Sequence, residues 1–384
     1  MRVFVLGVGA TGSLLVQLLT RQGHRVSCGD RDPERARRFL GATSTIPVHE
    51  VNARNIRSIV KAACGAQLLI NACPAILNKI VLRAALRLRA HYLDMAAHLT
   101  ESPFRAEQLR FETGFQDLRR TAVITAGVAP GLTNLLIAAS ADLLDTVETV
   151  YVRLYEATES DSPVSQWSAE VAFDEAVSRP RLYRHGRFRL GQRFSDREIF
   201  RFPAPIGPVS VVLAAQDEVV TVPLVIPLRT MDAKIGGADI DQLRRWYRQG
   251  TLRKSRGLVP SQFPRTPTPG TVHRLLHQGI LHNARFAAAV VVEGMTHDQS
   301  RIVRWDATVP SLYLLRRRGQ LCSPIAWATA EMAALFVKHF PRKLCGVHPP
   351  EALPAEIRRA ILRDARSRGI QLVKRVTPGP PQKR

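Results

Sequence analysis

The chain has 384 residues, 45% of them hydrophobic, which is enough for two packed domains or one large one. Its 55 basic residues against 32 acidic give a formal charge of +23. The excess is diffuse, with modest peaks in 244–257, 316–318 and 358–384 and no interleaved aromatics, so no specific nucleic-acid partner is expected. No apolar run reaches the roughly 18 residues of a membrane helix. Five scattered cysteines at no metal-like spacing read as reduced thiols, with no metal site. With no signal-peptide pattern at its start, the chain reads as cytoplasmic and without a membrane partner.

Taken in order, "RVFVLG" reads as a strand, and Leu14, Leu15, Leu18 and Leu19 give the stripe of the helix that follows. "HRVSCGD" is a second strand. "DPERARRFL" opens a helix with Asp32 as N-cap and Pro33 in its first turn. Strands are then expected at "TIPVHEV", "AQLLINAC", "HYLDMA" and "TAVITAG", with helices at "NIRSIVKAA", "ILNKIVLRAALRLR" and 104–119 between them. Near-continuous apolar strands between helices specify a parallel sheet covered on both faces, an α/β doubly wound domain.

After about residue 145 the pattern changes. "TVETVYVRLYEA", "GPVSVVLAA", "EVVTVPLVI" and "RFAAAVVVEG" read as strands of a mixed or antiparallel sheet, with a hairpin turning at His297–Ser300. Residues 253–270 read as a basic, proline-rich loop. "PIAWATAEMAALFVKHF" is a long apolar helix, and the end of the chain reads as a frayed tail.

The first strand and helix enclose Gly7, Gly9 and Gly12, and Asp30 follows Gly7 by 23 residues at the end of the second strand. This is the dinucleotide fingerprint: one glycine for the turn, one for backbone approach to a pyrophosphate, one for close helix–strand packing. The helix start then offers N–H groups to the phosphates. Asp30 suits the ribose hydroxyls of NAD. Arg31 beside it suits the 2′-phosphate of NADP, and Asp30 serves equally as a helix cap. NAD is the expected cofactor, with NADP open.

Ligands in such sheets bind beyond the carboxyl ends of the strands. Three ends look pointed there: Asn71 and Pro74, Asp94 with His98, and Gly127 followed by Pro130 and Gly131, which open a helix. Asp94 reads equally as an N-cap, and His98 as a polar loop residue.

The chain resembles the saccharopine dehydrogenase-like oxidoreductases, and among them looks closest to the L-lysine 6-dehydrogenases. The resemblance rests on "GVGATG", "LLINACPAILNKIVLRAALRLRAHYLDMAAH", "AGVAPGLTNLL", "WSAEVAFDEAVSRPRLYRHG", "VVVEG" and "GVHPPEALPAEIRRAILRDARSRGI". It implies a Rossmann domain over 1–130, rejoined by 315–375, with an inserted α+β substrate and dimerisation domain over 131–314 and a disordered tail over 376–384. It implies NAD or NADP, a homodimer, and hydride transfer at a carbon bonded to an amino-acid nitrogen. On these positions Gly7, Gly9, Ala10, Thr11 and Gly12 fall in the phosphate loop, and Asn71, Ala72 and Gly127 beside the cofactor. Asp94 and His98 fall where the substrate cleft begins, with Pro130 and Gly131 nearby, and Ser168 and Glu170 match the family's "S-x-E". The chain departs from the family at Asn52, where relatives carry an adenine-side Asp. It departs again at Ala96 and Ala97, where they tend to have glycines, and around Lys234, where the usual signature is missing. Amine oxidation needs a carboxylate beside the cationic substrate, Asp94 or Glu170, and a proton acceptor, His98 or Lys234. Asp94 and Glu170 are expected to face each other across an interdomain cleft. A reductase joining an amine to a carbonyl, and a non-catalytic nucleotide sensor, are the alternatives.

Overall fold

The computed structural model describes all residues except 42–43, 100–101, 167–172, 174–176, 251–265 and 380–384. Of the basic, proline-rich loop expected over 253–270, residues 253–265 lie outside the described residues. The chain divides into two compact units. One comprises Met1–Leu132, Pro267–Thr271 and Ala326–Ala365, and the other Thr133–Thr266, Val272–Ile325 and Arg366–Arg384.

From the start, β1 (Arg2–Leu6), α1 (Ala10–Arg21), β2 (Arg25–Asp30), α2 (Pro33–Leu40), β3 (Val48–Glu50), α3 (Ile56–Ala62), β4 (Leu68–Asn71), α4 (Asn78–Leu88), β5 (His91–Asp94), α5 (Glu112–Asp117) and β6 (Thr121–Val123) alternate. After α6 (Leu132–Ala141), strands dominate: β7 (Thr146–Ser160), β8 (Arg181–Arg184), β9 (Arg187–Leu190), β10 (Glu198–Arg201) and β11 (Pro208–Leu213). They are followed by α7 (Glu218–Val225), β12 (Thr230–Gly236), α8 (Ala238–Arg248), α9 (Pro269–His277), β13 (Leu281–Thr296) and β14 (Gln299–Thr308). The described chain closes with α10 (Leu312–Arg317), α11 (Pro324–Lys338), β15 (Gly346–His348), α12 (Ala355–Ser367) and β16 (Gln371–Pro378).

The first unit is a doubly wound Rossmann sheet. Its seven strands, all parallel, run in the order β15-β6-β5-β4-β1-β2-β3. Val3 to Leu6 and Leu68 to Ile70 are buried without alternation, as a sheet covered on both faces requires. Each fully buried Leu, Ile or Phe contributes roughly 1.5–3 kcal/mol. On α1 the buried positions are Gly12, Ser13, Leu15, Val16 and Leu19, while Leu14 and Leu18 of the expected stripe are half-buried. Asp32 caps α2 by accepting the Arg35 N–H at 2.9 Å, with Pro33 in the first turn. The sheet order reverses between β1 and β4, which is the switch point where a ligand crevice forms.

The second unit is a mixed α+β domain. Its nine-stranded sheet runs β10-β11-β12-β7-β13-β14-β16, with β8 and β9 off that path. β7 and β12 pair in parallel, and the hairpin β13–β14 is antiparallel. Its turn is two residues, His297 and Asp298, at φ 48° and 58°, the left-handed pair that matches strand twist.

Three expectations are corrected. "EVVTVPLVI" is the helix α7, not a strand. Its β-branched run favours a strand, but Glu218 and Thr221, three apart on one helical face, bond to Thr133 (2.6 Å) and Asn134 (3.2 Å) at the start of α6. Tertiary hydrogen bonds override propensity there. The single helix expected over 104–119 is a 3-10 turn over Glu107–Phe111 followed by the short α5. The tail expected from 376 is strand as far as Pro378, because β16 pairs with β14 over eight residues.

Candidate functional site

The turn after β1 is built by contact. A Cβ on Gly7, at φ 94°, would lie 2.8 Å from the Ala72 carbonyl group, and one on Gly12 would collide with the Gly7 carbonyl oxygen. Around Gly9 there is nothing within 4 Å of the corresponding point. Two glycines therefore serve packing, and the middle one faces open space. Gly9 is also the N-cap of α1. No side chain caps that helix and its first turn, which includes Ala10 and Thr11, holds no acidic residue. Its free N–H groups and partial positive charge suit an anion.

Asp30 closes the turn from the side. Its Oδ2 accepts the Val8 N–H at 2.7 Å and its Oδ1 the Asp32 N–H at 3.0 Å. A carboxylate has further lone pairs for ribose hydroxyls, and Arg31 next to it is exposed. Burial, and then the charge of Asp30, push the Cys28 and Cys73 thiols up to about 12, so both stay protonated at neutral pH. Asn52, at the position matching the adenine-side Asp, is engaged locally. Its Oδ1 accepts the Arg54 N–H at 3.0 Å in the turn that leads into α3.

The neighbouring strand ends are tied into one polar network. Asn71 is buried. Its Oδ1 accepts the Cys73 N–H at 3.1 Å and its Nδ2 donates to Asn78 Oδ1 at 2.7 Å. Asn78 Nδ2 donates to the Ala96 carbonyl at 2.8 Å. Asp94, only 1% exposed, accepts the Thr125 N–H at 2.8 Å, the Tyr92 hydroxyl at 3.0 Å and Gln108 Nε2 at 3.2 Å. Burial and the Asp94 charge hold the Tyr92 phenol well above its ordinary value, so it remains a donor. His98 is half-buried in the loop beyond Ala96 and Ala97.

Gly127 and Gly131 lie back to back, with Leu132 N donating to the Gly127 carbonyl at 3.0 Å. Pro130 is buried with them, and the helix begins at Leu132, one residue after Gly131. Ser168 and Glu170 lie outside the described residues.

Lys234 belongs to the second unit. Its ammonium is 2.7 Å from Glu198 and 3.2 Å from Asp196. Glu198 also meets Arg153, which pairs with Asp232 at 2.6 Å, and Asp232 pairs with Arg184 at 2.6 Å. Lys234 thus ends a ladder of alternating charge across one sheet face. Burial alone would raise the Glu198 carboxyl, but hydrogen bonds from Arg153 and Lys234 outweigh it and hold the group below its ordinary value. Reading the sequence singled out Lys234 alone and missed the ladder. Its members alternate along β12 at 232 and 234, a period-two signal, but their partners on β7, β8 and β10 are distant in sequence.

These geometries meet a known pattern. Residues 3–123 match the model of the saccharopine dehydrogenase NADP binding domain. The whole chain has the fold of the apo saccharopine dehydrogenase (L-Glu forming) of Saccharomyces cerevisiae, with a TM-score of 0.69 at 12% identity, covering 98% of this chain and 99% of that one. It is more distantly similar to the C. glutamicum DAP dehydrogenase in complex with DAP, with a TM-score of 0.47 at 10% identity, covering 96% and 99%. No curated protein sequence matches the chain. Among the described residues no helix is long and apolar enough to cross a membrane.

Proposed function

We propose that the chain is an NAD(P)-dependent oxidoreductase acting on a C–N bond of an amino-acid-type amine. The observation that carries this reading is the uncapped start of α1 behind Gly9, at the switch point of a domain that matches the saccharopine dehydrogenase NADP-binding model. The residues present fit a dinucleotide: an open approach at Gly9, free N–H groups, no carboxylate in the first turn, and Asp30 at the end of β2. A bound nicotinamide supplies the hydride acceptor or donor.

The chain's own residues supply the rest. An ammonium has no lone pair to stabilise a developing iminium, so the substrate nitrogen must first lose a proton. A ring nitrogen of His98 takes it in this reading. Asp94, held in place by Tyr92, Gln108 and Thr125, sets its carboxyl group beneath the strand ends, and in its ionised form that group would favour a cationic nitrogen. Ser168 and Glu170 are assigned to the substrate by their match to the family's motif. Lys234 is assigned to its ion pairs and not to proton transfer. Asp30 favours NAD, and Arg31 is the residue that would accept a 2′-phosphate.

The fold match to a saccharopine dehydrogenase favours a secondary amine of two amino acids as substrate, with a primary lysine amine as the second reading. The deciding experiment follows NAD(P)H at 340 nm with saccharopine, L-lysine and a polyamine panel across pH, and assays ammonia. Turnover of saccharopine without ammonia release supports the first reading, and lysine turnover with ammonia the second. Tight NAD(P)H binding with no turnover of any amine would falsify the enzyme reading and leave a nucleotide sensor.

A further inference from the structure

We propose that Asn78 and Gln108 are positioning residues for this reaction, forming a brace that fixes the loop after β5 against the cofactor turn. The proposal rests on the oxidoreductase reading given above. The Ala96 carbonyl accepts two side-chain donors, Asn78 Nδ2 at 2.8 Å and Gln108 Nε2 at 3.1 Å. From Asn78 the chain of bonds runs through Asn71 to the Cys73 N–H, and Ala72 and Cys73 are the residues packed on Gly7. From Gln108 it runs through Asp94 to the Thr125 N–H. The carboxyl ends of β4, β5 and β6 are thereby joined by side chains that are at most 2% exposed.

Two features argue for more than stability. Gln108 is completely buried and its Oε1 has no hydrogen-bond partner. An unsatisfied buried carbonyl is destabilising, and a methionine of similar volume would avoid that cost. The amide is worth that cost only for its N–H groups, and its two acceptors are Asp94 at the end of β5 and the Ala96 carbonyl in the loop that leads on to His98. Thr125 is held at φ 54°, outside the comfortable region for a branched residue, and its N–H is the one Asp94 accepts. The brace thus fixes where the β5 loop stands relative to the Gly7–Gly12 turn, and so fixes the approach of the proton acceptor to the substrate nitrogen. Displacement of a reacting group by about 1 Å is enough to cost a hundredfold in rate.

The test uses the full chain and two variants, Gln108→Met and Asn78→Ser. Three quantities are read: amide hydrogen exchange in peptides covering 94–99, the Kd of NADH and NADPH from fluorescence, and kcat and KM with whichever amine the wild type turns over. In Gln108→Met we expect exchange at 95–98 to speed at least tenfold and kcat to fall at least tenfold, with KM and both Kd values within threefold. Asn78→Ser carries the same test if Gln108→Met does not fold. Faster exchange with unchanged kcat means the brace is structural only and overturns the proposal, as does a loss confined to dinucleotide affinity. If the wild type turns over no amine, the oxidoreductase reading fails first. The brace is then judged by exchange alone: bound NADPH slows exchange at 95–98 in wild type and not in Gln108→Met, and equal slowing in both refutes it.

Discussion

Gly9 and Gly12 look equivalent in the fingerprint and are expected to fail differently. A Cβ on Gly12 meets the Gly7 backbone, which cannot move without dislodging Ala72, so Gly12→Ala should lower stability by several kcal/mol. The Cβ of Gly9→Val meets nothing within 4 Å, so the variant should melt within a few degrees of wild type while NAD(P)H affinity falls at least a hundredfold. Circular dichroism melts and a fluorescence titration read both. A Gly9→Val protein with unchanged affinity would remove the turn from the cofactor site. At this scale the sequence was informative about residue types and silent about their partners. Gly7, Gly12 and Asp30 were legible because backbone geometry demands them at fixed spacing. The bond from Asp30 to the Val8 N–H was not, nor was the role of Gln108, since a glutamine in an ordinary helical stretch gives no sign that it reaches a carbonyl twelve residues back.

At the scale of elements, legibility followed local pattern. Apart from the 104–119 segment, the strands and helices up to β6 and the β13–β14 hairpin carry strong periodicity or a demanding turn, and they form close to where the pattern puts them. α7 does not, because its Val-rich run names a strand while its hydrogen bonds to α6 need Glu218 and Thr221 on one face. β12 raises a different question, whether Lys234 is a proton acceptor or a rung of the charge ladder. Removing one partner of a buried pair costs about 3–5 kcal/mol. Glu198 is 34% exposed, and solvent screening reduces the expected cost of Lys234→Met to roughly 2 kcal/mol. Chemical denaturation should show that loss. The pH profile of kcat/KM should keep its wild-type shape if the Lys234 ammonium is committed to Glu198 and Asp196. A variant with wild-type stability and a lost titration limb would instead place Lys234 in the chemistry.

For the molecule as a whole, the change of pattern near residue 145 was readable in the sequence, whereas a return of the chain to the first unit, expected over 315–375, was implied only by family resemblance; the structure groups Ala326–Ala365 with that unit and 315–325 and 366–375 with the other. The charge is the remaining whole-molecule property. Some of the arginines are committed to ion pairs: Arg153 and Arg184 to Asp232, Arg304 and Arg375 to Asp306, and Arg37 to Glu34. Others serve packing, such as Arg35 over Phe39 and Arg366 over Trp305. Charges spent in this way do not form a track matched to phosphate spacing. A net charge of +23 nevertheless attracts any polyanion through counterion release. Titration of a fluorescent 30-bp duplex should therefore give dissociation constants of about 1 μM or weaker near 150 mM salt, with affinity falling steeply on a log–log plot and no dependence on sequence. A saturating NADPH concentration should leave that binding unchanged, since the dinucleotide site is a small part of the charged surface. Nanomolar affinity for one duplex over a scrambled one, persisting at 150 mM salt, would show a nucleic-acid site and reassign the basic surface from solvation to function.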